Sequence, residues 1–352
     1  MALARRHEGI TVIRVTDRVW YKIFASFFTL LFLLLIALFG ALTMVSYGPS
    51  PTARNLFVVS AMETSALKIL PRLYFSQEEI EAMLSSNAVA DLEGTSDSNL
   101  VHFTPEEGAQ RQEILVEEIK GSTFKGKMMI IMDPSRLFVG VSHDRFVRGL
   151  RGKKVMDIID QSGGIGGVNA GGFVDEGGKG DGSVPMGIVI SEGEMKWGSP
   201  GGVYEIIGFD REDKLVIGKM SGKEALDRGV RDAVSFGPML VLNGEALEVK
   251  GFGSGLNPRT AIGQREDGAV LLLVADGRQP DSLGATMGDV IDLMIQYGAV
   301  NAANLDGGSS TVMYYEGELI NVCCSLYGPR DMPTAIVVRD IVEEATAFDT
   351  QN

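Results

Sequence analysis

In the stretch Asn304-Leu305-Asp306-Gly307-Gly308-Ser309-Ser310 an apolar run ends on a carboxylate followed by two glycines. A strand that stops on Asp before Gly-Gly presents the carboxylate at an open edge, with backbone N–H groups free to meet a ligand. A second edge of this kind stands upstream in Asp276-Gly277-Arg278, and Pro258-Arg259-Thr260 supplies another guanidinium. A carboxylate stabilises or traps a developing carbocation, and guanidinium forks meet phosphate oxygens in bidentate geometry. Asp306 is therefore expected as nucleophile or base, and Asp276 as its acid/base partner or as the group that orients an arginine. Arg259 and Arg278 are expected to hold an anion. Asp-Gly also favours tight turns, and an arginine can serve a surface ion pair, so the set carries more than any one residue.

The carboxylate loop has an upstream counterpart. Residues 155–173 align without a gap on residues 290–308: Val155, Asp157, Gln161, Gly163, Asn169 and Gly172 match Val290, Asp292, Gln296, Gly298, Asn304 and Gly307. Each copy has apolar residues at helical spacing, a glycine where a helix would stop, and a short strand ending on Asn and glycines. Asn169 and Asn304 then lie at equivalent strand ends, and Gly171 takes the place of Asp306.

Other chemistries are poorly supplied. The three histidines, His7, His102 and His143, are scattered, which leaves little material for a histidine-rich metal centre or a Ser-His-Asp triad. Ser309 and Ser310 have no visible base, so they read as ligand or turn hydrogen-bonders. The segment 163–172 lacks the G-x-G-x-x-G register, no Walker lysine is present, and Phe252-Gly253-Ser254-Gly255-Leu256 does not fit G-x-S-x-G. The neighbours Cys323 and Cys324 read as small buried apolar residues in a strand. No cofactor is required by the sequence; a divalent cation is possible on Asp175, Glu176 and Asp181 in a glycine-rich loop, which reads rather as a flexible solvated lid.

The elements that must position these residues are legible in outline. Short apolar runs (128–132, 186–190, 203–209, 239–242, 269–275, 334–338) alternate with Gly- and Asp-rich turns, and few helices are evident. That argues a mixed, largely β α+β domain over residues 112–342. One helix is bounded clearly: Thr286 is its N-cap, Asp289 lies in the first turn, Val290, Ile291, Leu293, Met294 and Tyr297 form an apolar face, and Gly298 ends it. Residues 48–111 read as a stalk or small helical linker, with an amphipathic segment near 78–84, and 343–352 as a tail.

Residues 23–47 are almost entirely apolar, longer than the roughly 20 residues that cross a bilayer and longer than the apolar region of a cleaved signal peptide. They are expected to anchor the chain. Arg5, Arg6, Arg14, Arg18 and Lys22 in the preceding tail, residues 1–22, outnumber Glu8 and Asp17, which predicts a cytoplasmic N-terminus and an extracytoplasmic domain. The formal charge of -14 disfavours nucleic acid as a bulk partner.

Taken in order, Asn169-Ala170-Gly171-Gly172-Phe173, Ser235-Phe236-Gly237-Pro238, Arg259-Thr260-Ala261-Ile262-Gly263, Asp276-Gly277-Arg278 and Asn304-Leu305-Asp306-Gly307-Gly308-Ser309 resemble the phosphodiester glycosidase family over about residues 125–340. The resemblance implies a mixed α/β domain that hydrolyses a sugar-1-phosphodiester, in bacteria often on exported or cell-surface glycans. It implies a site in which Asn169, Gly171, Gly172, Phe173, Thr260, Asn304, Gly307, Gly308, Ser309 and Ser310 meet the substrate around the catalytic Asp306, Asp276, Arg259 and Arg278. Two alternatives stay open: a metal-dependent phosphodiesterase with Asp175, Glu176, Asp276 and Asp306 on the ion, and a non-catalytic glycan-binding or assembly module.

Overall fold

The computed structural model describes residues 15–64, 67–90, 92–103, 113–176, 180–325 and 327–340. Most of the expected basic tail and the C-terminal tail lie outside the described residues. The chain divides into two compact units, Met1–Arg54 and Asn55–Asn352. The first is dominated by one helix, Val15–Tyr47, whose segment Val19–Tyr47 is long and apolar enough to cross a membrane.

The second unit is α+β and largely β, as its turn-rich pattern predicts. It holds three antiparallel sheets. The largest runs Ile114–Lys120, Lys125–Ile131, Val270–Ala275, Arg259–Arg265, Ala299–Leu305, Met239–Leu242, Glu245–Ala246. Val270–Ala275 is buried at every position because both of its faces are covered. Val270, Leu272 and Val274 enter the core shared by all three sheets, with Val168, Ile336, Ile207 and Phe209. Leu271 and Leu273 face the other way, under Val290, Ile291 and Met294 of the helix Met287–Gln296.

That helix begins as its sequence predicts. The Thr286 hydroxyl accepts the Asp289 N–H at 3.1 Å while the Asp289 carboxylate accepts the Thr286 N–H at 2.8 Å, a complete capping box. Gly298, at φ 83°, turns the chain into the strand Ala299–Leu305. The upstream copy repeats the order: the helix Val155–Gln161 packs Val155, Ile158 and Ile159 on the second sheet, Gly163 follows, and the strand Gly164–Asn169 sits at that sheet's centre. The third sheet carries Val189–Ser191, Val203–Asp210, Leu215–Ser221 and Val230–Val234, with the helix Gly222–Asp227 against it.

Two expectations are corrected. From Asn55 onward the expected stalk belongs to the globular unit: Gly255 N–H donates to Glu63 at 2.9 Å, Phe252 N–H to Asn87 at 3.2 Å, and Ile217 N–H to Ser96 Oγ at 2.9 Å. The segment supplies acceptors that buried N–H groups of the domain need. Cys323 and Cys324 are free, only partly buried, and outside any strand; their thiols reach the carbonyls of Ser309 and Gly308 at 3.9 and 3.6 Å.

Candidate active site

The two helix-to-strand units deliver their strand ends to one place. Asp306 N–H donates to Ala170 O at 3.0 Å, and Asn169 Nδ2 donates to Asp306 O at 2.5 Å. Asn169 is fully buried, and its Oδ1 accepts both the Thr260 hydroxyl at 2.9 Å and Val312 N–H at 3.1 Å. It clamps the backbone under Asp306 from behind. Asn169 and Thr260, expected to meet substrate, are fully buried in this clamp and do not line the cleft. Gly171 also stands behind, where a Cβ would lie 2.9 Å from Val234.

In front is a cleft of about 570 Å³ lined by Asp306, Gly307, Gly308, Ser309, Ser310, Asn304, Gly172, Phe173, Arg259 and Arg278, all expected site residues. Asp306 is partly buried there, and loss of solvent pushes its carboxyl pKa up to about 6, against the opposing Ser310 hydroxyl, Arg330 charge and Gly307 N–H. Ser310 Oγ lies close enough to favour the charged form without reaching hydrogen-bond geometry. Both Ser310 Oγ and Asn304 Oδ1 are buried with no partner, although Asn304 Nδ2 donates to Gly237 O at 2.9 Å. The residues that carry these two orphaned atoms, Ser310 and Asn304, both line the cleft.

The glycines do less direct binding than their sequence predicts. Gly308 N–H is taken by Pro258 O at 2.8 Å. Gly308 adopts φ 62°, and a Cβ there would sit 3.3 Å from Arg278 Nη2, so glycine lets the guanidinium lie across the loop. Arg278 itself has φ 58°; its Nη2 donates to Asn257 Oδ1 at 2.9 Å, and no carboxylate pairs with it among the described residues. It is the cation in the cleft with charge to spare.

Arg259 is differently placed. Its Nη2 meets Glu63 Oε2 at 3.0 Å, Ser254 Oγ at 2.8 Å and Gly255 O at 2.8 Å. Burial pulls its pKa down, opposed by the Glu63 charge. Glu63 also accepts from Asn257 Nδ2 at 2.5 Å, so a carboxylate of this chain occupies a cradle of anion donors. A third guanidinium, Arg330, stacks over the Phe173 ring at 4.6 Å and bonds Asp175 at 2.6 Å, which holds the Asp175 carboxyl below its usual range. Phe173 is a core residue supporting that arginine.

Asp276 is not a wall of the cleft. Its Oδ1 accepts Asn321 Nδ2 at 2.9 Å and Val322 N–H at 3.0 Å, and burial raises its pKa. It ties the loop after the strand Glu318–Leu319 to the largest sheet, so the carboxylates near Asp306 in the cleft are Asp175 and Glu63 instead. Among the described residues no group of three or more His, Cys, Asp or Glu is arranged to hold a metal ion. Glu63, Asn257 and Arg330 escaped the sequence reading: none has a periodic or motif signal, although Asn257 and Pro258 directly precede Arg259.

Fold and cleft together define an α+β protein with one carboxylate of raised pKa among guanidinium groups. The phosphodiester glycosidase family matches residues 162–339, slightly over half of the chain, and the chain belongs to that family. It is 32% identical over 152 residues to the SPbeta prophage-derived uncharacterized protein YomE of Bacillus subtilis (strain 168), a match spanning 39% of this chain and 23% of that protein. It is 28% identical over 152 residues to N-acetylglucosamine-1-phosphodiester alpha-N-acetylglucosaminidase of Mus musculus, spanning 38% of this chain and 29% of the relative. The chain thus spans under a third of the length of these relatives. Among solved structures, the zebrafish N-acetylglucosamine-1-phosphodiester alpha-N-acetylglucosaminidase catalytic domain, described as auto-inhibited by its pro-peptide, aligns over 72% of this chain and 88% of its own, with a TM-score of 0.53 at 20% identity. That likeness concerns the fold.

Proposed function

We propose that this protein hydrolyses a sugar-1-phosphodiester by cleaving the C–O bond, on a glycan outside the cytoplasm, while held at the membrane by its N-terminal helix. The observation that carries the reading is the cleft: a carboxylate with pKa near 6, two unpartnered buried polar atoms and an arginine with no carboxylate partner among the described residues. Asp306 stands at the sugar's anomeric carbon, where an ionised carboxylate stabilises the oxocarbenium-like transition state or attacks it. The leaving group is a phosphate monoester with a second pKa of about 6, so it departs with little protonation. Arg278 neutralises its charge as it leaves, and Arg259 joins when Glu63 yields. Asn304 and Ser310 hold the sugar. Family membership supports the reaction class, and the basic flank of the apolar helix supports the orientation.

The test uses the full chain in detergent with N-acetylglucosamine-1-phosphodiesters in oxygen-18 water, with and without chelator, beside Asp306→Asn. Label on the sugar supports the proposal. Label on phosphate, or turnover abolished by chelator, supports a metal-dependent phosphodiesterase, and no turnover across a panel of sugars supports a non-catalytic glycan-binding module.

A further inference from the structure

Adjoining the cleft is a larger cavity of about 1050 Å³, and Met186, Phe236 and Gly237 line both. The shared wall lies at the Asn304 end of the cleft, because Gly237 O receives the Asn304 amide. None of the three arginines of the cleft lines the cavity. A sugar with its anomeric carbon at Asp306 and its phosphate toward Arg278 therefore turns its non-reducing side to Asn304 and the cavity.

We infer that this cavity is a subsite for further sugar residues, so that the substrate is an oligosaccharide 1-phosphodiester rather than a single sugar on phosphate. The inference rests on the reading of the cleft proposed above. The volume lies at the upper end of small-molecule sites, roughly 300–1,000 Å³, and exceeds what one sugar needs. The lining suits pyranoses, whose apolar faces stack on rings while their hydroxyls take hydrogen bonds. Phe236 supplies a ring. Glu205 and Lys219, opposite each other in register on the strands Val203–Asp210 and Leu215–Ser221, supply an acceptor and a donor. A lipid chain in the same place would strip water from both charges and return no hydrogen bonds. One wall, residues 92–95, precedes the family-matched stretch 162–339 and is held by the pairing of Thr95 with Gly218.

Binding is measured on the full chain in detergent by calorimetry, with N-acetylglucosamine 1-phosphate and N,N′,N″-triacetylchitotriose 1-phosphate as probes. The trisaccharide is expected to bind about tenfold more tightly. Val203→Trp fills the cavity from a side chain that is 61% exposed, and should erase that advantage while leaving the monosaccharide within about twofold. Lys219→Met, at an exposed position, should narrow it in the same direction. Equal affinity of the two probes for the wild-type chain, or equal weakening of both by Val203→Trp, overturns the subsite but leaves the catalytic reading standing. Failure of both probes to bind overturns the sugar-phosphate reading and the subsite together.

Discussion

At Asp306 the chemistry and the titration are the same question. Its carboxyl is raised to about 6 by loss of solvent, so the folded protein binds a proton there more tightly than the unfolded chain. Stability from this group is complete below the ordinary carboxylate pKa and is lost as pH rises through about 6. Asp306→Asn should accordingly stabilise the protein at pH 8, by about 1–2 kcal/mol, and flatten the stability curve between pH 4 and 6, as read by denaturant titration. Turnover in the wild type should rise with pH through a midpoint near 6, and the variant should lose at least about a thousandfold in kcat. Glu63 gives a separate test. If its carboxylate holds the ground that a phosphate needs on Arg259, Glu63→Gln lowers KM several-fold; a raised KM would mean that Glu63 serves to aim the guanidinium.

Two strands and the side chain between them set the position of Asp306. Asn169 joins the strand Gly164–Asn169 to the backbone of Asp306, to Thr260 and to Val312, using both ends of its amide. Asn169→Ala takes the partner from the Val312 N–H and from the Asp306 carbonyl, which should cost about 2–4 kcal/mol in chemical denaturation and lower kcat more than it raises KM. The helix-to-strand repeat was legible in sequence because apolar spacing, a terminal glycine and an Asn are local signals. That its two strand ends would meet was not, since they lie in different sheets and the contact is made across about 137 residues of chain. Asp276 shows the converse. Its Asp-Gly-Arg context resembles that of a reacting carboxylate, but the turn points the side chain at Asn321 and Val322.

At the scale of the molecule, the segment after the apolar helix belongs to the fold. Ser60, Glu63, Asn87 and Ser96 accept hydrogen bonds from backbone N–H groups of the domain, and residues 92–95 wall the larger cavity. A chain begun at Asn55 should unfold cooperatively, whereas one begun at residue 112 should melt at least about 10 °C lower, because several buried N–H groups lose their acceptors. Scanning calorimetry of the two chains decides this.

The amino-acid sequence alone determined the largely β α+β class, the apolar N-terminal helix, the capped helix Met287–Gln296 and the Asp306 loop. Each depends on periodicity, capping or turn chemistry confined to a few consecutive residues. Only the tertiary structure decided that Glu63, Asn257 and Arg330 join the cleft, that Asn169 and Thr260 support it from behind, and that Asp276 leaves it. The physical reason is that a polar side chain carries no local sign of its partner: whether it binds ligand or backbone depends on which distant strand end or loop folds against it.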